Sequence, residues 1–190
     1  MALKLITPAS TYPVTLAEAK AHLHIDTTDS DSEINSFIYA ATEYAEQITG
    51  RALITQTWEL TLDAFPDAFD LTRVPVQSIT SVKYYDTDGT EQTLSSTLYS
   101  LDNADDFGPA YVVPAYGTVW PPTLNQANAV RVRYVAGYAN AAAVPESIKQ
   151  WIKLQIGSQD FNRAGEILAT SGKVEFKFAD SLVDRFRVYA

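Results

Sequence analysis

Cysteine is missing from this chain of 190 residues, which excludes disulfides, thiolate metal sites and a cysteine nucleophile. The absence suits a reducing compartment. Histidine is scarce: His22 and His24 are the two. On a helix, residues two apart point ~200° away from each other, so this pair cannot share one metal ion. Long apolar runs are missing as well. No segment approaches the ~20 apolar residues of a membrane helix. The opening Ala2-Leu3-Lys4-Leu5-Ile6-Thr7 is too short for a signal peptide, and Pro8 interrupts it. The expected product is soluble and made in the cytoplasm. Positive charge is also short, with 14 basic against 23 acidic side chains and a net charge of −9. A surface this acidic repels phosphate and argues against tight nucleic-acid binding.

What remains is globular in composition, with 46% apolar and 19% charged residues. The charge is uneven. Residues 1–144 hold 7 basic and 17 acidic side chains, a net of −10, whereas residues 145–190 hold 7 and 6, a net of +1. The chain begins as helix. Thr15 and Glu18 have the spacing of a capping box, predicting a short helix to about Leu23. Ser30, with Glu33 as reciprocal partner, is expected to cap a second helix. Ile34, Phe37, Ile38, Ala41, Tyr44, Ala45 and Ile48 form its apolar stripe, and Gly50 stands at the C-cap. Pro145 fits the start of a third helix, with Ile148, Trp151, Ile152, Gln155 and Ile156 on one face and an end near Phe161 or Asn162.

Between these helices the pattern is β. Trp58, Leu60 and Leu62 alternate with Thr57, Glu59 and Thr61. Further runs follow at Val74–Val76, Ile79–Tyr84, Tyr111–Val113 and Val130–Val135, and Asp86-Thr87-Asp88-Gly89 reads as a turn. Six of nine prolines fall in this zone, as suits sheet edges and connections. After the third helix, Val174, Phe176 and Phe178 alternate with charged residues as a strand or extended arm would. The expected fold is α+β. A small helical bundle (1–52 and 140–190) carries an inserted antiparallel β-rich subdomain (53–139) and an extended C-terminal arm.

The search for chemistry yields no catalytic kit. There is no nucleophile-elbow G-x-S-x-G, no phosphate-cradling glycine loop and no dinucleotide fingerprint. Asp26, Asp29, Asp31 and Glu33 lack the spacing and the glycine of a calcium loop, and are better placed to favour the positive end of the helix that follows. Asp102, Asp105 and Asp106 could serve as paired carboxylates only if a cleft gathered them; a solvated loop is the simpler reading. Trp58 and Trp151 lie on apolar faces and read as core. Trp120, before Pro121-Pro122, is either a contact residue or a plug over the sheet edge.

Taken in order, these residues resemble the head–tail connector (head-completion adaptor) proteins of tailed bacteriophages. The resemblance rests on Val14-Thr15-Leu16-Ala17-Glu18-Ala19-Lys20-Ala21-His22-Leu23, then Ile48-Thr49-Gly50-Arg51-Ala52-Leu53. It continues through Pro75-Val76-Gln77-Ser78-Ile79, Tyr84-Tyr85-Asp86-Thr87-Asp88-Gly89 and Trp120-Pro121. Val135-Ala136-Gly137-Tyr138, Val144-Pro145-Glu146-Ser147-Ile148-Lys149-Gln150 and the closing Leu182–Val188 complete it. One departure stands out: members often carry an acidic or Arg-Glu pair where the third helix ends, and this chain has Phe161-Asn162-Arg163-Ala164-Gly165-Glu166.

The resemblance implies a non-enzymatic virion protein at the capsid–tail junction, needing no cofactor and no metal. It implies a ring of about a dozen copies closed by heterologous contacts. Its partners would be itself, the portal protein and a tail-side stopper or terminator protein. DNA would pass through the channel without sequence-specific binding, and no membrane would be involved. The expected partner contacts are Trp120, Phe161, Arg163, Phe176, Phe178, Arg185, Phe186, Arg187, Val188 and Tyr189. Two other classes compete: a β-rich binding module for peptide or carbohydrate, and an enzyme resting on the acidic loops.

Overall fold

The computed structural model describes residues 1–161 and 177–188. Four helices and eight strands alternate along it: β1 (Ala2–Thr7), α1 (Leu16–Leu23), α2 (Asp31–Thr49), β2 (Gln56–Leu62), β3 (Phe69–Leu71) and β4 (Val76–Tyr85). Next come β5 (Glu91–Leu94), β6 (Tyr99–Asp102), β7 (Ala110–Pro114), β8 (Val130–Ala136), α3 (Glu146–Phe161) and α4 (Lys177–Asp184).

The helix ends follow local chemistry. The Glu18 amide donates to Thr15 Oγ1 at 3.2 Å and the Thr15 amide donates to Glu18 Oε2 at 2.8 Å, so both halves of the capping box form. At α2 the expectation holds in position but not in bonding. Ser30 is the N-cap residue, yet its side chain makes no capping hydrogen bond. Its ψ of 8° departs from the extended backbone that aims a capping oxygen at the first turn. Asp31 instead turns to Lys20 Nζ at 2.6 Å and ties the start of α2 to α1. Gly50 ends α2 at φ 70°, as its C-cap position demands.

Two sheets form. Strand order in the larger is β1-β2-β8-β4-β5 and in the smaller β3-β7-β6, with every paired neighbour antiparallel. The Asp86–Gly89 turn joins β4 to β5, with the Gly89 amide donating to the Asp86 carbonyl at 3.0 Å. Three strands were not read from the sequence: β3, β6 and β1, the last of which, from before the first helix, pairs with β2 from Ala2↔Thr61 onward. The C-terminal expectation needs correction too. Lys177–Asp184 is helical, not extended, because Ala179 and Val183, four apart, bury together against the helical core.

Buried side chains fall into two groups. One gathers α1, α2, α3 and α4 around Ile34, Ile38, Ile148, Trp151, Ile152 and Ile156. The other fills the space between the two sheets with Leu60, Leu71, Val82, Val112, Val132 and Tyr134. The chain crosses between them at Arg51–Thr55 and returns at Gly137. There a Cβ on Gly137 would sit 2.2 Å from the Ile54 carbonyl oxygen, and its φ is 110°. Only glycine tolerates that approach in that conformation.

Candidate interaction site: the Arg51 junction and the C-terminal segment

Arg51 opens the passage from α2 to the sheets and is 1% exposed. Its Nε donates to the Phe186 carbonyl at 2.8 Å and its Nη2 to the Asp106 carbonyl at 2.5 Å. The guanidinium also lies 5.8 Å from the Phe186 ring and 6.0 Å from the Phe107 ring. A buried cation held by carbonyl oxygens and aromatic faces thus fastens three remote segments: the end of α2, the β6–β7 loop and the C-terminal segment. The Val188 amide donates to the Thr49 carbonyl at 2.8 Å, using an acceptor left open where α2 ends. Sequence reasoning passed over Arg51 except as one letter of a pattern. Its signal was an arginine directly after a C-cap glycine, where the next element must start in the interior.

Glu46, on the last turns of α2, serves the same junction. Its Oε1 accepts from the Leu53 amide at 2.7 Å and from Gln56 Nε2 at 2.8 Å. Burial raises its pKa above the ordinary carboxylate range, and the two hydrogen bonds pull against that rise. Arg73 Nη1 donates to the Glu46 main-chain carbonyl at 3.1 Å and lies 4.9 Å from the Trp58 ring.

The expected contact residues separate. Trp120 stacks on Phe65 at 4.7 Å, and its Nε1 donates to the Asp67 carbonyl at 3.3 Å, so its ring closes the sheet edge within the chain. Phe161, at the end of α3, is 88% exposed. Arg185 is exposed and lays its guanidinium 4.6 Å from the Phe107 ring. The Phe186 ring is half-buried, 6.1 Å from Phe107. Arg187 Nε lies 3.1 Å from Asp184 Oδ1, close enough for attraction though not aligned as a hydrogen bond. Val188 packs on the inter-sheet core. Phe178 falls in α4. Arg163, Phe176 and Tyr189 lie outside the described residues. Arg185 to Val188 are therefore brought together with Arg51 and Phe107, while Trp120 and Phe161 belong to other places.

In the Asp102–Asp106 loop, carboxylates bond to nearby loop amides. Asp105 Oδ1 accepts from the Phe107 amide at 2.8 Å and Asp102 Oδ1 from the Ala104 amide at 3.1 Å. Those loop amides, first Phe107 and then Gly108, pull the Asp105 pKa down, the opposite of what a general acid requires. A cleft of about 120 Å³ is lined by Asp105 and Asp106 together with Pro75, Val76, Asn103 and Ala110 among others. Among the described residues, no three His, Asp or Glu side chains gather so as to hold a metal ion. Among them, too, no helix is long and apolar enough to cross a membrane.

Residues 13–106 match the family model for the phage gp6-like head-tail connector protein. The matched stretch spans both opening helices, the Arg51 passage and the strands through β6. Over that stretch, just under half of its length, the chain is similar to that head–tail connector family. Solved structures extend the likeness to the full length. A chain in the virion of a native gene transfer agent particle has 24% identity and a TM-score of 0.77, over 100% of this chain and 97% of that one. A chain in the neck of the empty particle, with C6 symmetry, has 23% identity and a TM-score of 0.79, with the same coverage. One in the neck of the native particle, with C12 symmetry, has 23% identity and a TM-score of 0.75, again with the same coverage. At these identities the likeness establishes the fold. None of the functionally curated proteins matches.

Proposed function

We propose that this chain is a structural virion protein that joins the phage head to its tail. It acts as one subunit of a ring at the capsid–tail junction. In this reading the portal sits on the head side and a stopper or terminator protein on the tail side, and DNA passes through the ring without being read. The work is done by shape, with no bond made or broken. The observation that carries the reading is the family match over residues 13–106, on a fold shared end to end with chains of a particle neck. The C6 and C12 symmetry of those necks supports a ring of about a dozen copies, which needs two different faces per subunit. We further read the two buried groups as two bodies, helical and β, fastened at Arg51. A peptide- or carbohydrate-binding module is less favoured, since Trp120 is engaged with Phe65.

The test is assembly in the absence of the protein. Particles made without it should accumulate as separate filled heads and finished tails, and adding the purified protein should restore joined virions. Normal joining without it would overturn the reading.

A further inference from the structure

The strand registers sort the charges of the β body onto two opposite outer faces. On the larger sheet, Lys4↔Glu59 and Glu59↔Arg133 share one row, and Thr61↔Arg131 and Arg131↔Lys83 the next. Partners in register project to one side. The neighbouring residues Leu60, Val82, Val130 and Val132 are buried, so this row pattern faces outward. That face holds Lys4, Lys83, Arg131 and Arg133 against Glu59 and Glu91, four positive and two negative, a net of +2 on a chain of net −9. Residues 1–144 contain seven basic side chains. The other three are committed elsewhere: Lys20 to Asp31, Arg51 to the junction, and Arg73 to Trp58 and the Glu46 carbonyl.

The smaller sheet packs behind it across the shared core, with Phe69, Leu71, Ala110 and Val112 buried inside. Its outer face follows by alternation. Asp70↔Tyr111 and Tyr111↔Asp102 place an aspartate on each side of an exposed tyrosine, with Ser100 and Val113 in the next row. These three strands carry no basic residue. A ring built head to tail needs contact surfaces on nearly opposite sides of the subunit, different from each other and mutually complementary.

We infer that the cationic outer face of β2-β8-β4 in one copy docks on the Asp70–Tyr111–Asp102 face of the next. This rests on the ring reading above and names the faces that close it. Tyr111 supplies the central contact and the charges set the register. Nucleic acid is a poorer occupant of the cationic face. Glu59 and Glu91 already pair with Arg133 and Arg131 and would repel phosphate.

The test exploits the absence of cysteine. The full-length chain carrying both Ser81→Cys and Ser100→Cys, treated with a short bis-maleimide, should give a ladder of trimers and longer products. Either cysteine alone should not. Lys83→Glu with Arg131→Glu should abolish the ladder, as should Asp70→Lys with Asp102→Lys, and all four changes together should restore it. The milder Lys83→Gln with Arg131→Gln should weaken it with an unchanged melting curve, which covers misfolding of the reversed variants. A ladder indifferent to reversal, or lost and not rescued in folded protein, overturns the inference. So does duplex DNA binding that vanishes with Arg131→Glu in a chain giving no ladder. Rings in the neck that ignore every reversal would sink these faces while leaving the head–tail role intact; failure to join heads to tails would sink that role.

Discussion

Arg51 is a buried charge held by the Phe186 and Asp106 carbonyls. Removing it leaves both carbonyls short of a donor inside the protein. Hydrogen bonds to a charged group are worth about 1.5–3 kcal/mol each, so Arg51→Ala should cost about 3 kcal/mol or more. Urea denaturation would measure the loss. Arg51→Lys should recover part of it, since an ammonium cannot fork to two carbonyls as a guanidinium does. Hydrogen exchange at the Val188 amide should quicken in both variants, because the bond to Thr49 depends on the same segment being held. Glu46 offers a pH test. Its folded pKa is raised by burial, so its ionisation is costlier in the folded chain than in the unfolded one. Its favourable contribution is therefore complete below the unfolded pKa and fades as pH rises through the folded value. Glu46→Gln keeps an oxygen for the Leu53 amide and removes that titration. The variant should gain on the wild type as pH rises across this window, measured by melting temperature against pH. A gap that narrows instead would show that the charge stabilises the junction.

At the scale of elements, what could be read from the sequence was whatever local chemistry decides. The Thr15–Glu18 box, the α2 stripe ending at Gly50 and the alternation in β2 are all settled within a few residues, and all stand as expected. Thr15→Ala should cost about 1 kcal/mol, read from thermal unfolding, because it orphans the Glu18 amide at an exposed helix start. What escaped was settled at a distance. Ala2–Thr7 becomes a strand only because β2 offers it an edge, and its own pattern, with four exposed residues among six, does not announce that. Val174, Phe176 and Phe178 read as alternating, yet the chain is helical from Lys177, and Ala179 and Val183 pack on a core whose other members lie from Val14 to Ile156. The candidate site fared likewise. The closing segment was recognised, but its anchor, Arg51, lies 135 residues earlier, a pairing no local pattern reveals. Gly137 is the sharpest element-scale prediction. Gly137→Ala would press a methyl into the Ile54 carbonyl at a φ of 110°, and should cost about 3 kcal/mol or more and most of the soluble yield.

For the molecule as a whole, the closing segment poses a difficulty for any deletion experiment. Taking away residues from 177 onward would uncover the helical core beneath Ala179 and Val183 and strip Arg51 of its Phe186 acceptor. Such a chain would fail to join heads to tails whether or not the segment touches a partner. The informative variants are those that change the surface and nothing beneath it. Phe161 meets this condition, with 88% of its surface in solvent at the end of α3. Phe161→Ala should move stability by no more than about 0.5 kcal/mol, as exposed substitutions generally do. If Phe161 is a partner contact, losing its ring should cost about 1–2 kcal/mol of binding, roughly a tenfold drop in affinity for portal-bearing heads. Arg185→Ala is the companion, since its guanidinium lies outside the buried clamp and over Phe107. Both proteins should melt within a degree or two of the wild type. If both also join heads to tails at wild-type rates, the partner surface lies elsewhere, and the closing segment serves only to hold its own chain together.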